Sequence, residues 1–428
     1  MKKITHKLIA ILLCVAMIGG MLPMGVHAEV EETVYTLYPT PHSVVYNEGS
    51  FELKDIHAVY GEGIDEYTEA RLEETAELIG LSMTEAEEAT KVYVAIYGSG
   101  DSVEQYILDN YTVDTTLFAK TDANFVAVNN GEIVVLGKDT DSCFYGLTTL
   151  YQIFGQLGGM TIRNLTINDY ADVVSRGFIE GYYGNPWSVE DRAALMTWGG
   201  YYKLNSYFYA PKDDPKHNSA WRELYTEEEL ETLIRPLAEA GNKSKCRYVF
   251  ALHPYMHNAI RHDTEEHYQE DLGIMQAKFE QVISVGVRQI AILADDAAVL
   301  SNKDNYTRML NDMTDWLKEM QKTYPDLKLN LPFVAPGFEY AGYGQSYYRD
   351  FPENVQIVMT GGQVWGYVTQ NFVDRFYNNV GRGPYMWINW PCTDNSKNHL
   401  IMGGYADWLY PGVSPEKIQG IVLNPMQQ

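Results

Sequence analysis

From residue 173 onward the chain repeats one pattern eight times: a short apolar run, then a longer amphipathic or polar stretch. The runs are VSRGFIEG, SYFYAP, RYVFAL, RQIAILAD, LKLNLPFVAP, VQIVMTG, PYMWIN and GIVLNP. Short apolar runs that lack polar alternation suit strands buried on both faces, as in parallel sheets. Several intervals carry helix signals. Ser188-Val189-Glu190-Asp191 and Thr226-Glu227-Glu228-Glu229 have capping-box spacing, and the second opens a helix that Gly241 is expected to end. Eight strand-plus-crossover units of about 35 residues fit an α/β fold, a (β/α)8 TIM-type barrel, better than an open doubly wound sheet. No GxGxxG or phosphate-loop pattern follows any run, which weakens a nucleotide-binding reading.

A barrel directs attention to the residues after each strand, because its loops converge on one mouth. The first run is followed by Glu180-Gly181-Tyr182-Tyr183, the second by Lys212-Asp213-Asp214 and the fourth by Asp295-Asp296. The fifth gives Glu339-Tyr340, the sixth Thr360, the seventh Trp387-Ile388-Asn389 with Asp394, and the eighth Asn424. Any one of these alone reads as a solvated loop residue. Carboxylates, an amine, an indole and two amides around one mouth suit a polar ligand stacked on aromatics, as a sugar is. Asp295-Asp296 stands at the edge of a wholly apolar run, so desolvation and mutual repulsion are expected to raise the pKa of one acid. The competing reading makes Asp296 a helix N-cap. His253 and His257 have an i, i+4 spacing, but Pro254 lies between them and no HExxH pattern is present, so no metal is expected.

Residues 34–170 read differently. KVYVAIYG is strand-like, DEYTEARLEETAELIGL helical, and FVAVNNGEIVVLG a hairpin turning at Asn129-Asn130-Gly131. DTDSCFYGLTTLYQIFGQL reads as a helix packed on that sheet. The region is expected to be a small α+β domain without a catalytic cluster. Ahead of it, Lys2, Lys3 and Lys7 precede an apolar run and Val26-His27-Ala28 ends it. Residues 1–28 are therefore expected to be a secretory signal peptide cleaved after Ala28, leading to secretion. Loss of three lysines and no acid takes the net charge from −25 to −28. So acidic a chain is a poor partner for nucleic acid, and no later stretch is apolar enough to span a bilayer. Cys143, Cys246 and Cys392 are too few and too scattered for a disulfide framework or a zinc site.

The segments RGFIEGYYGNPWS (residues 176–188) and YAPKDDPKH (residues 209–217), with the Asp295-Asp296 pair, resemble glycoside hydrolase family 84, the β-N-acetylglucosaminidases that include O-GlcNAcases and clostridial enzymes called hyaluronidases. The resemblance spans about residues 173–426, with the catalytic barrel placed at residues 173–428. It implies that Gly181 offers its backbone to the sugar and that Lys212 binds a sugar hydroxyl. It implies that Asp295 polarises the substrate's 2-acetamido group and that Asp296 is the general acid and then base. Tyr340 and Thr360 would line the acetamido pocket and Trp387 would wall it. Asn389 would bond near the reacting group, and Asp394 and Asn424 would grip sugar hydroxyls. The chain departs from the family at the fifth run, with APGFEYAG for the usual PTEY. The third run ends in HPY rather than SPG, and MTGGQVW replaces WTGP.

Adjacent acids, with Cα atoms about 3.8 Å apart, are poorly placed to approach opposite faces of a sugar, as retaining glycosidases do with carboxyls about 5–5.5 Å apart. They suit substrate assistance, in which the acetamido oxygen attacks C1 to form an oxazoline. The expectation is an exo-acting, retaining enzyme that needs no cofactor and acts on terminal β-linked GlcNAc of glycoproteins or glycans. Hyaluronidase-type activity, a family 20 hexosaminidase and a catalytically silent glycan-binding protein are the alternatives. The last run ends at Asn424 and the chain at Gln428, where an eighth barrel helix would begin. The expectation is therefore a truncated chain with an open barrel wall.

Overall fold

The computed structural model describes residues 33–181, 186–212, 214–391, 404, 409 and 412–425. The expected signal peptide, Tyr182, Tyr183, Asp213, Cys392 and Asp394 lie outside the described residues.

The first unit is a six-stranded mixed sheet of β1 (Ser43–Glu52), β2 (Ile56–Tyr60), β3 (Thr90–Ile96), β4 (Thr121–Asn129), β5 (Glu132–Gly137) and β6 (Thr161–Ala171), in the order β1-β6-β4-β5-β3-β2. The β4–β5 hairpin turns at Asn130 and Gly131, both with positive φ (50° and 92°), a conformation these residue types adopt readily. Both faces of the sheet are covered, so alternate residues enter two cores. Val126, Val128, Ile133 and Val135 pack against the helices Glu66–Glu77 and Thr140–Phe154. Phe125, Ala127, Val134 and Leu136 pack against Val103 and Ile107 of the helix Ser102–Asn110.

The second unit closes eight parallel strands into a barrel: β7 (Ser175–Ile179), β8 (Ser206–Tyr209), β9 (Arg247–Leu252), β10 (Gln289–Leu293), β11 (Leu331–Val334), β12 (Val355–Met359), β13 (Tyr385–Ile388) and β14 (Gly420–Leu423). Each of the eight apolar runs supplies one strand. Ile179, Phe208, Val249, Leu293, Val334, Val358, Trp387 and Val422 point inward and fill the interior. The sheet is closed, since β14 pairs with β7 from Gly420↔Ser175 to Leu423↔Phe178. Among the described residues no helix covers the β14–β7 seam, and an apolar cleft of about 1300 Å³ lies there, lined by Phe178, Trp198, Tyr202, Ile421 and Leu423 among others.

Thr226 and Glu229 make the expected capping box, but Ser188 makes half of one, accepting from the Asp191 N–H at 3.0 Å. Gly241 does not end its helix, which runs on to Ser244 and stops at Lys245 in a left-handed conformation (φ 58°). Gly241 is small for a packing reason: a Cβ there would lie 2.5 Å from the Tyr248 backbone nitrogen in β9.

The small unit docks on the N-terminal end of the barrel. Asp141 takes Arg247 at 2.6 Å, Lys328 at 2.9 Å and Lys245 at 3.1 Å, all from residues beside barrel strand starts. Arg176 pairs with Asp122 and Lys203 with Asp169, each at 2.7 Å. These contacts occupy the stability face of the barrel and leave the opposite mouth clear.

Candidate active site

At the C-terminal end of β10 the chain makes a tight turn. The Ala297 N–H donates to the Ala294 carbonyl at 3.3 Å, and Asp296 sits at φ +57°, a region that aspartate tolerates better than most residues. The turn sends the two acids apart: Asp295 is buried (2% exposed) and Asp296 is exposed. Asp296 is not an N-cap, for the next helix begins only at Asp304.

The expected mutual repulsion does not set the Asp295 charge. Burial alone would raise its pKa, but the Lys212 ammonium, 2.7 Å from Oδ2, and the His253 ring outweigh burial and hold it well below the usual carboxylate range. Asp295 is thus an anion, so the rise expected of one acid of the pair does not fall on it. Its Oδ1 is buried and makes no hydrogen bond among the described residues, and His253 Nε2 lies 3.4 Å from it.

His253 escaped the sequence reading, which weighed it only as a metal ligand. Its Nε2–H donates to the Asp295 carbonyl at 2.7 Å, and its own N–H donates to the His217 carbonyl at 2.8 Å. The signal was available, because His253 is the first residue after the third run. His217 in turn donates Nδ1–H to the Ala251 carbonyl, and burial, its largest influence, pushes its pKa down to about 4. His257 is exposed and takes no part. Among the described residues no cluster of three His, Cys, Asp or Glu side chains could hold a metal ion.

A second group of side chains faces the mouth from β7, β11, β12, β13 and β14. The Trp387 indole N–H donates to Asn389 Oδ1 at 2.8 Å, Asn424 Nδ2 donates to the same oxygen at 2.9 Å, and Asn389 Nδ2 reaches the Val364 carbonyl at 2.7 Å. Asn424 Oδ1 is buried without a partner among the described residues. The Trp387 ring lies against Gly181, where a Cβ would meet its Cζ2 and Cη2 carbons at 2.5 and 2.6 Å. Tyr340 packs beside Trp387, ring centroids 6.3 Å apart, and Thr360 secures the Tyr340 carbonyl through its N–H at 3.0 Å and its hydroxyl at 3.2 Å.

Not every polar residue at the mouth is available to a ligand. Glu180 is fully buried in a bidentate pair with Arg192 at 2.7 and 2.8 Å. Asp214 accepts from the Tyr209 and Tyr225 hydroxyls, each at 2.9 Å. Glu339 accepts from Tyr347 at 2.6 Å and Tyr348 at 2.9 Å, with Lys303 at 3.3 Å. These three brace the loops. The described residues therefore join an anionic, lysine-held Asp295 beside an exposed Asp296 to an indole and amide wall.

Residues 176–428 match a family model described as beta-N-acetylglucosaminidase, and residues 34–170 match one described as glycosyl hydrolase family 20, domain 2. The proteins named Protein O-GlcNAcase of Rattus norvegicus and Mus musculus are each 28% identical over 264 residues, 58% of this chain and 28% of theirs. The chain thus spans little more than a quarter of the length of these curated relatives. The solved structure of CpGH84D superposes with a TM-score of 0.84 at 38% identity, covering 92% of this chain and 66% of that one. The structure of CpGH84B gives 0.78 at 25% identity, covering 92% and 68%. Since the first family model covers more than half of the residues, this chain belongs to glycoside hydrolase family 84, the β-N-acetylglucosaminidases.

Proposed function

We propose that the protein is a secreted, exo-acting, retaining β-N-acetylglucosaminidase that removes terminal β-linked GlcNAc from glycoproteins or glycans by substrate assistance. The observation that carries this reading is Asp295: an anion held by Lys212, with a buried Oδ1 that has no hydrogen bond among the described residues, next to an exposed acid. Oδ1 would accept the acetamido N–H, turning the acetamido oxygen toward C1. As that oxygen attacks and the glycosidic bond breaks, Asp296 gives its proton to the departing oxygen, and Asp295 stabilises the positive charge on the oxazoline nitrogen. Asp296 then takes a proton from water as the water opens the oxazoline at C1, and two inversions leave net retention. Because the nucleophile arrives with the substrate, its positioning is worth effective molarities of about 10⁵–10⁸ M. Trp387, Asn389, Asn424, Tyr340 and Thr360 would form the wall around the sugar, with Gly181 admitting the indole.

Comparing the N-acetyl and N-trifluoroacetyl forms of 4-nitrophenyl β-glucosaminide tests the mechanism. The electron-poor trifluoroacetamide oxygen is a weaker nucleophile, so kcat should fall steeply; an unchanged rate refutes substrate assistance. A net charge of −28 after loss of the signal peptide makes polyanionic hyaluronan a poor electrostatic match. Secretion is tested by sequencing the N-terminus of the exported protein, which should begin at Glu29.

A further inference from the structure

We propose that Phe338 is the platform of a leaving-group subsite, where its ring stacks on the apolar face of the sugar that carries the departing oxygen. The proposal rests on the reading of Asp295 and Asp296 given above. Phe338 is 95% exposed, more than any other large apolar side chain among the described residues. A single exposed apolar residue is ordinary on a protein surface; the unusual feature is where this one is held.

It sits in the 3-10 turn Gly337–Glu339, directly after β11 and hence on the rim of the mouth. The turn is pinned on both sides. Before it, Gly337 has φ +46°, its N–H donates to the Ala294 carbonyl at 3.4 Å, and a Cβ would lie 2.7 Å from the Ala297 carbonyl. The turn therefore rests on the loop that carries Asp295 and Asp296. After it, Glu339 is fixed by two tyrosine hydroxyls and a lysine, and the Tyr340 carbonyl is fixed by Thr360. With both neighbouring residues held, the backbone that carries the ring is preorganised, so a ligand that stacks on it need not order the loop.

The leaving group must lie on the side of the acid that protonates it, and Phe338 projects from the segment packed against that acid's loop. So exposed a ring presents an apolar face about the size of a single pyranose ring. A peptide that joined the rim as an added strand would need a free backbone edge. Here the turn uses its own donors, Glu339 N–H to the Pro336 carbonyl and Gly342 N–H to the Glu339 carbonyl, each at 3.0 Å. Two of the turn's donors are thus taken, which leaves the Phe338 ring as its exposed recognition element.

The test compares the full chain with its Phe338→Ala and Phe338→Trp forms on three GlcNAc β-glycosides. These are the azide, whose leaving group has no ring, a disaccharide with galactose as leaving group, and a serine-linked glycopeptide. Phe338→Ala should lower kcat/KM on the disaccharide roughly 3- to 10-fold, with the azide and glycopeptide within about twofold and the melting temperature unchanged. Phe338→Trp should keep or improve the disaccharide rate. Equal changes on the azide and disaccharide, a loss confined to the glycopeptide, or no loss at all overturns the proposal. So does a parent enzyme that cleaves the azide but not the disaccharide. A parent enzyme that cleaves none of the three overturns the reading of the acidic pair, and the subsite with it.

Discussion

Replacing Gly181 by alanine isolates the contact between β7 and the indole wall. Carbon atoms in good contact are about 3.5–4.0 Å apart, whereas the new methyl would stand 2.5 and 2.6 Å from two Trp387 ring carbons. The ring must recede by about 1 Å. It is nearly fully buried and its N–H is 2.8 Å from Asn389 Oδ1, so the retreat stretches that bond toward its limit. Overpacking costs about 1–3 kcal/mol and a weakened hydrogen bond about 1 kcal/mol, together roughly 2–4 kcal/mol. For a unit of this size that is a fall in Tm of roughly 4–16 °C. A 1 Å displacement of a substrate-positioning group costs about 10²-fold in rate, read as kcat/KM on 4-nitrophenyl N-acetyl-β-glucosaminide. Trp387→Phe in the same chain removes the outer indole ring, so the double variant should be more stable than the sum of the two single losses predicts. A Gly181→Ala protein with the parent's Tm and kcat/KM, or strict additivity in the double variant, would refute the argument.

Other perturbations test other contacts. Lys212→Met removes the cation that holds Asp295 down, so the acidic limb of the kcat/KM profile should move toward neutral pH; an unmoved limb would detach Asp295 from catalysis. Asp296→Ala should slow poor leaving groups far more than 4-nitrophenol, and equal losses would count against its role as general acid. Asp141→Asn leaves three cations at the domain interface facing a neutral amide and should cost about 3–5 kcal/mol at pH 7 by denaturant melt. The folded-state pKa of Asp141 is depressed, because Arg247, Lys328 and Lys245 together outweigh its burial. Its contribution is therefore complete above the unfolded value of about 4 and declines as pH falls below it. The difference between parent and variant should shrink on acidification, and a constant gap would exclude the ion pairs as its source.

The eight barrel strands were legible because parallel strands covered on both faces read as unbroken apolar runs, and the order of those runs set which residues meet at the mouth. The β4–β5 hairpin was equally plain from Asn129-Asn130-Gly131. β1, β2 and β6 were not named beforehand. β1 (SVVYNEGSFE) lies at a sheet edge with intermediate burial along much of its length, so its apolar residues form no continuous run. Gly241 misled because a glycine near a helix end has two readings, a left-handed cap or a close packing contact, and only the neighbouring strand β9 distinguishes them.

The sequence by itself determined the barrel, the small domain before it and the presence of an acidic pair at the end of the fourth strand, since all three follow from local patterns. Tertiary structure alone decided what each acid became. Lys212 lies 83 residues before Asp295 and His253 lies 42 before it, and both reach it only because β8, β9 and β10 are neighbours in the barrel. The same fold places Asp296 in a left-handed turn facing solvent. Charge state depends on distances across the fold and on burial, and neither quantity is written in the order of residues along a chain.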